Sequence, residues 1–403
     1  MAATVEIAIP QSAEDIAPSW VQQVLQKNHP GIIITDVDVK GSISQGEGLM
    51  IYMSDIIAFE AMGTKDGKSR RYSLVAKLTD FERLFAVFKE WPKDNYIYME
   101  TTEVKFYLAV PDLLSVAIPS AESKFKAGNE DDDIQRPADS LFLPKCYFAA
   151  TDPSSMVSVR VMENLKTQGF SIKPNRQPLS REEMMLVVGA LAQLHGLSHR
   201  LELLSGVSLP EKYDLITNFS DDQALMATVT NVYRTAVKEF AAAFPDQAEL
   251  VARLEKLDPH RESLNIEEDP RLKVLCHADC WVNNIMIKYA GDAPTEVRLV
   301  DWQSVRYMPP TFDLTFLFLC ASSWDVFHNH RDAILAHYHR KLQETLGPNE
   351  SLGLQSYTLE QLKTDFKADC LHGVMLRIGR LGVLPADPDL LRITQEIQGW
   401  GVL

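Results

Sequence analysis

Two regimes of apolar spacing divide the chain. Between Val37 and Ala150, short runs of β-branched and aromatic residues carry most of the strand signal, with Tyr72-Ser73-Leu74-Val75-Ala76-Lys77-Leu78 the clearest. From Arg181 onward the apolar positions recur every three and four residues, the period of helices packed on one face. Ser180-Arg181-Glu182-Glu183 is a capping box, and it opens an apolar helix running through Leu191 and Leu194 to His195. Asp222 to Leu257 predicts one or two amphipathic helices, and Asp332 to Leu346 and Leu359 to Leu381 predict others. Ile7 to Gln26 reads as an entry segment and a helix that caps the first lobe. The pattern contains no internal repeat and no long linker. It predicts an α+β chain: a mixed α/β amino-terminal lobe over residues 1–164, and a larger, mainly helical carboxy-terminal lobe over 165–403.

One strand-like stretch interrupts the helical half. Val274 to Gln303 reads VLCHADCWVNNIMIKYAGDAPTEVRLVDWQ. Val274 to Cys276 is a short apolar strand, and His277 to Asn283 mixes polar residues without a period, as a loop does. Ile285 to Tyr289 and Val297 to Val300 are β-rich, and the turn chemistry of Gly291-Asp292-Ala293-Pro294 between them predicts an antiparallel hairpin. Folding it about that turn sets Asn284 opposite Asp301, so two oxygen ligands meet at one end of the ribbon. A hard cation such as Mg²⁺ takes such ligands and fills its remaining positions with phosphate oxygens and water. Asp279, on the loop feeding the hairpin, is close enough to accept a proton from a hydroxyl approaching the same phosphate. This is the polar set of kinase-type phosphoryl transfer. His277 is expected to order the loop by hydrogen bonding, because the proton acceptor is already supplied.

The strand-rich half should then hold the phosphates. Lys77 ends a segment similar to the Val-Ala-Ile-Lys strand of kinases. Its expected partner is Glu103, with Glu100 as the rival, on a helix whose Val104, Tyr107 and Leu108 are spaced to face a core. Gly46 and Gly48, in Gly41-Ser42-Ile43-Ser44-Gln45-Gly46-Glu47-Gly48, could let backbone N–H groups approach phosphate closely. The strand Val159-Arg160-Val161-Met162 runs into Glu163-Asn164-Leu165, where a connector would offer backbone groups to adenine.

The ordered set of a Gly-containing loop, VAKL, an E-x-x-F-Y helix, VMENL, LAQLHGLSH, CHADCWVNN and LVDWQ resembles the ecdysteroid kinase-like family, within the wider group of aminoglycoside phosphotransferases and choline kinases. The resemblance spans about Gly41 to Asp313. It implies a two-lobed, protein kinase-like fold with an antiparallel sheet in the first lobe and ATP in the cleft, Asp279 as base, and Asn284 and Asp301 as Mg²⁺ ligands. It further implies Lys77 with Glu103 as phosphate clamp, Glu163 to Leu165 as adenine connector, and Asp313 as a buttress of the loops. Two positions depart from the family's pattern: Ala278 stands where Gly is usual, and Trp302 where Phe is usual beside the metal-binding Asp. The implied activity is phosphorylation of a hydroxyl on a largely apolar acceptor, such as an ecdysteroid or a xenobiotic alcohol or phenol, in a pocket shaped by helices around 218–265 and 325–400. The alternatives are a choline- or aminoglycoside-type kinase, for which Trp324, Asp325 and Glu344 could serve a cation, and a catalytically silent, kinase-shaped binding protein.

Composition narrows the classes. A net charge of −15 over 403 residues, with no offsetting basic run, argues against nucleic-acid and anionic-membrane partners. The first thirty residues hold Glu6, Glu14 and Asp15 and no long apolar run, so no secretory signal is read, and Leu314 to Trp324 is too short to span a bilayer and predicts a buried helix. Five cysteines, an odd number, suggest a reducing compartment, and a cytoplasmic monomer or weak dimer is expected. Cys276, His277, Asp279 and Cys280 are too close in sequence to wrap a tetrahedral zinc ion. His328, His330, His337 and His339 read as a polar helix face. Ser120 to Ser140, with its GNEDDD run, reads as an exposed acidic loop.

Overall fold

The computed structural model describes residues 7–42, 54–81, 85, 93–117, 142–213, 222–262, 268–347 and 357–403. Gly46, Gly48 and the acidic stretch 120–140 lie outside the described residues. The chain divides into two compact units, one formed by 1–108 with 120–169 and the other by 109–119 with 170–403.

The first unit is built on a five-stranded antiparallel sheet. Its strands are β1 (Ile33–Ser42), β2 (Asp55–Lys65), β3 (Lys68–Asp80), β4 (Cys146–Asp152) and β5 (Val157–Glu163), in the order β1-β2-β3-β5-β4. Helix α1 (Pro18–Gln26) starts at a proline, whose missing N–H costs nothing in a first turn. Its buried face of Trp20, Val21, Val24 and Leu25 packs against Ile57, Phe59, Leu74, Ala76 and Val161 of the sheet. Helix α2 (Lys93–Ser115) follows in the chain. Here the expected apolar face is corrected: Val104 and Tyr107 are buried, but Leu108 is 66% exposed. The inward positions one turn apart are instead the carboxylates Glu100 and Glu103, both buried, so the spacing of apolar residues pointed slightly off the true face.

The second unit contains α3 (Arg181–Ser205), α4 (Leu209–Tyr213), α5 (Gln223–Ala243), α6 (Ala248–Leu254), α7 (Thr311–Ala321), α8 (Arg331–Leu346), α9 (Leu359–Ile378) and α10 (Pro388–Gly399). The capping box forms at α3: Ser180 Oγ accepts the Glu183 N–H, while the Glu183 carboxylate accepts the Ser180 N–H. Gly206, at φ +67°, ends the helix in the left-handed conformation that glycine adopts without strain. Every residue of α7 is buried, and among the described residues no helix is long and apolar enough to cross a membrane. At Gly196 an added Cβ would stand 2.7 Å from Thr345 Cγ2, so the glycine lets α3 and α8 approach closely.

Short strands thread these helices. β7 (Val274–Cys276) pairs with β10 (Arg306–Met308), and β6 (Phe170–Ser171), β8 (Ile285–Ala290) and β9 (Ala293–Leu299) form a second antiparallel sheet. The hairpin is tighter than the turn chemistry predicts. Its loop is Gly291-Asp292, and Ala293 and Pro294 belong to the returning strand. Pro294 is tolerated there because β9 is an edge strand, and a register shift at Tyr289 absorbs the irregularity. The register is also corrected by one residue: Ile285 faces Leu299, the Val300 N–H donates to the Asn284 carbonyl at 3.0 Å, and Asp301 follows one position beyond.

Candidate active site

In the first unit the ionisable groups sit on regular elements. Lys77 on β3 and Arg160 on β5 are direct cross-strand neighbours, and Thr79 and Ser158 are the next pair on the same face. Two buried cations side by side would repel each other, and α2 answers with two carboxylates. Glu103 Oε2 accepts from Lys77 Nζ at 2.8 Å and forms an ion pair with Arg160 Nη2 at 2.8 Å. Glu100 Oε2 accepts from Thr79 Oγ1 at 2.7 Å, Ser158 Oγ at 2.8 Å and Arg160 Nη1. Glu103 is therefore the partner of Lys77, and Glu100 serves Arg160. Sequence reasoning missed Arg160. Its signal was the alternation Ser158-Val159-Arg160-Val161, which sends the polar side chains to the face of β5 that carries Lys77 on β3.

Glu163 and Leu165 follow at the end of β5. The Glu163 N–H donates to the Lys145 carbonyl, and the Asn164 N–H donates to the Ser73 carbonyl. The Glu163 carboxylate accepts from the Lys145 N–H at 2.8 Å and from Gln168 Nε2 at 3.0 Å. Leu165 is buried and opens a short 3₁₀ turn capped by the Asn164 side chain.

In the second unit the polar groups sit on a loop, and the loop's backbone is pinned from behind. The Asp313 carboxylate, in the first turn of α7, accepts the N–H groups of His277 and Ala278, each at 2.7 Å. His195 Nε2 lies 3.1 Å from Asp313 Oδ2, and its Nδ1 lies 2.7 Å from the Tyr338 hydroxyl. Both Asp313 oxygens already act as acceptors, so the consistent assignment is Tyr338 O–H to His195 Nδ1 and His195 Nε2–H to Asp313. All three side chains are fully buried, so a chain of hydrogen bonds from α8 through α3 to α7 fixes where the loop begins.

His277 continues the support. Its Nδ1 accepts the Asp279 N–H at 3.3 Å, which leaves Nε2–H to donate to the Val300 carbonyl at 3.1 Å. Its ring packs 4.4 Å from that of Trp302. Trp302 is wholly buried and its Nε1 donates to the Leu299 carbonyl, so the larger ring is accommodated with its polar atom satisfied. Two of the six described non-glycine residues with left-handed backbone lie here: Ala278 at φ +60° and Asp301 at φ +68°. At 278 a Cβ costs roughly 1–2 kcal/mol in this conformation, a cost that glycine would not carry.

The functional side chains meet on this support. Asn284 Nδ2 donates to the Asp279 carbonyl at 2.8 Å and to Asp279 Oδ2 at 2.9 Å. Both acceptors are oxygens, so the amide is oriented with its nitrogen on Asp279, and Oδ1 is the acceptor that remains. Burial pushes the Asp279 carboxyl up from its ordinary value, the positive charge of Arg380 pulls it down, and the negative charge of Asp301 pushes it up again. The backbone brings Asp301 to this end of the ribbon, one position past Val300, whose N–H pairs with the Asn284 carbonyl. Asn284 Oδ1 and the Asp301 carboxylate are oxygen donors, the ligand chemistry that Mg²⁺ takes.

Arg380, in the turn after α9, is the residue that sequence reasoning missed here. Its Nη2 donates to Asp279 Oδ1 at 2.9 Å, and its guanidinium lies 4.4 Å from the centre of the Phe316 ring. The residues suggested for a cation pocket do not converge. Glu344 pairs with Arg340 and Lys341 on an exposed face, Asp325 bonds Asn329, and Trp324 stacks on His328. The histidines of that region are also separately engaged, His328 with Glu396 and His339 with the Tyr357 carbonyl.

Comparison with known proteins adds three findings. A model of the ecdysteroid kinase-like family matches residues 50–349, more than half of the chain. No curated protein matches the chain. Among solved structures, the one described as the GDP and kanamycin complex of APH(2″)-IIia is similar at 12% identity and a TM-score of 0.38, over 94% of this chain and 98% of that one.

Proposed function

The chain belongs to the ecdysteroid kinase-like family, and from that premise we propose that it transfers the terminal phosphoryl group of ATP, with Mg²⁺, to a hydroxyl of a largely apolar small molecule such as an ecdysteroid or a xenobiotic alcohol or phenol. The observation that carries the reading is the Asn284 amide, which binds Asp279 through its nitrogen and leaves its oxygen for a cation.

In this reading the acceptor oxygen attacks the γ-phosphorus, the bond to the β,γ-bridging oxygen breaks, and the hydroxyl proton passes to the Asp279 carboxylate. Burial supports that role, because it raises the affinity of Asp279 for a proton. Asn284 and Arg380 each hold one carboxylate oxygen, so the base is oriented before the acceptor arrives. Asn284 Oδ1 and Asp301 would hold Mg²⁺, which when bound neutralises phosphate charge. Lys77, kept in place by Glu103, would bind the nucleotide's phosphates, and Glu163 to Leu165 would meet the adenine. Helices α5, α6 and α8 to α10 would shape the acceptor pocket.

The test is an ATP-depletion screen of hydrophobic alcohols and phenols against quaternary amines, run on the wild-type chain and on Asp279→Asn. Turnover with an apolar alcohol is expected, falling about 10²- to 10⁴-fold in the variant while nucleotide still binds. Full activity in Asp279→Asn would reject the assigned base, and exclusive turnover of quaternary amines would reject the acceptor class.

A further inference from the structure

The loop from His277 to Asn284 contains no Lys or Arg. Yet this corner gathers the carboxylates of Asp279 and Asp301 and, on the reading above, would also receive a nucleotide's phosphates. The nearby cation comes from elsewhere in the chain. Arg380 lies 101 positions from Asp279 in sequence and puts Nη2 2.9 Å from Asp279 Oδ1.

The placement of Arg380 is built from several directions. Its own carbonyl accepts the N–H groups of Val383 and Leu384, which fixes the turn after α9. Its Nη1 donates to the Leu376 carbonyl at 3.2 Å, and its guanidinium lies over Phe316 of α7. These bonds use one N–H on each terminal nitrogen, while a guanidinium has five. The side chain also remains 27% exposed, so it can be reached by a ligand.

We infer that Arg380 is a catalytic residue that contacts the terminal phosphoryl group of the nucleotide from the Asp279 side while holding that carboxylate in place. The inference rests on the phosphoryl-transfer reading. A base within hydrogen-bond reach of the attacking hydroxyl is also close to the phosphoryl group being attacked. A guanidinium on the other oxygen of that carboxylate therefore has the transferring group within the swing of one side chain. There it would stabilise charge on the equatorial oxygens, as positively charged clamps do in this chemistry.

The experiment compares two nucleotides by titration calorimetry, Mg·AMP-PNP, which has a γ-phosphoryl group, and Mg·ADP, which lacks one. Wild type, Arg380→Met and Arg380→Lys are measured, with circular dichroism as the check on folding. Arg380→Met is expected to bind Mg·AMP-PNP about tenfold more weakly or worse, the scale of a charge-assisted hydrogen bond, and to bind Mg·ADP as wild type does. Arg380→Lys, which keeps the charge and serves if the Met variant fails to fold, should recover part of the difference. Equal affinity changes for the two nucleotides, or none, would overturn the role of Arg380. Failure of wild type to bind either nucleotide would instead overturn the phosphoryl-transfer reading beneath it.

Discussion

The two units hold their charged groups by opposite means. In the first, Lys77, Arg160, Glu100 and Glu103 project from two strands and a helix, and the side chains pair with one another. In the second, Asp279, Asn284 and Asp301 project from irregular backbone, and that backbone is held by a carboxylate, an imidazole and a phenol that take no part in the proposed chemistry. Regular elements position side chains through their own hydrogen-bond ladders. A loop has no such ladder, so its N–H groups need partners from outside, and left-handed residues must be tolerated where it turns sharply.

The difference is open to substitution. Asp313→Ala removes the acceptor of two buried N–H groups and the partner of His195. It should cost about 3–5 kcal/mol, measured by chemical denaturation, and abolish turnover. A folded, active Asp313→Ala would show that the loop stands without its buttress. Arg160→Met is the counterpart in the first unit. It leaves Glu100 buried beside two hydroxyls and no cation, while Glu103 keeps Lys77. A loss nearer the lower end, about 3 kcal/mol, is expected, together with weaker nucleotide binding, and the two units would be alike if it exceeded that of Asp313→Ala. The smallest effect belongs to Ala278→Gly. Relief of the left-handed strain should outweigh the added chain entropy and raise stability by up to about 1 kcal/mol. A lower melting temperature in this variant would mean that the loop is not strained at 278.

The same contrast decides what the sequence reveals. The contact of Asn284 with Asp279 was legible because one short loop joins them, and the hairpin carries Asp301 one position past Val300, the residue that pairs with Asn284. His195 and Asp313 carried weaker signals, a histidine within an apolar helix that runs on to Ser205 and an acid opening another helix, and only the tertiary packing of α3, α7 and α8 joins them. Arg160 and Arg380 were not legible, because their partners lie 60 and 101 positions away. Leu108 misled for a related reason. The inward face of α2 is written in glutamates, whose burial is made tolerable by cations on other elements. The α+β class follows from local periodicity and is the one observed, and the antiparallel sheet of the first unit, which the resemblance implied, is observed too.

The central claim is that Asn284 and Asp301 hold the cation that binds the nucleotide's phosphates beside Asp279. Calorimetry of ATP binding with Mg²⁺ and with a chelator, in wild type and in Asp301→Ala, addresses it directly. The account predicts that Mg²⁺ strengthens ATP binding in wild type and that Asp301→Ala binds with the same low affinity under both conditions. An Asp301→Ala protein that binds Mg·ATP as tightly as wild type would contradict it.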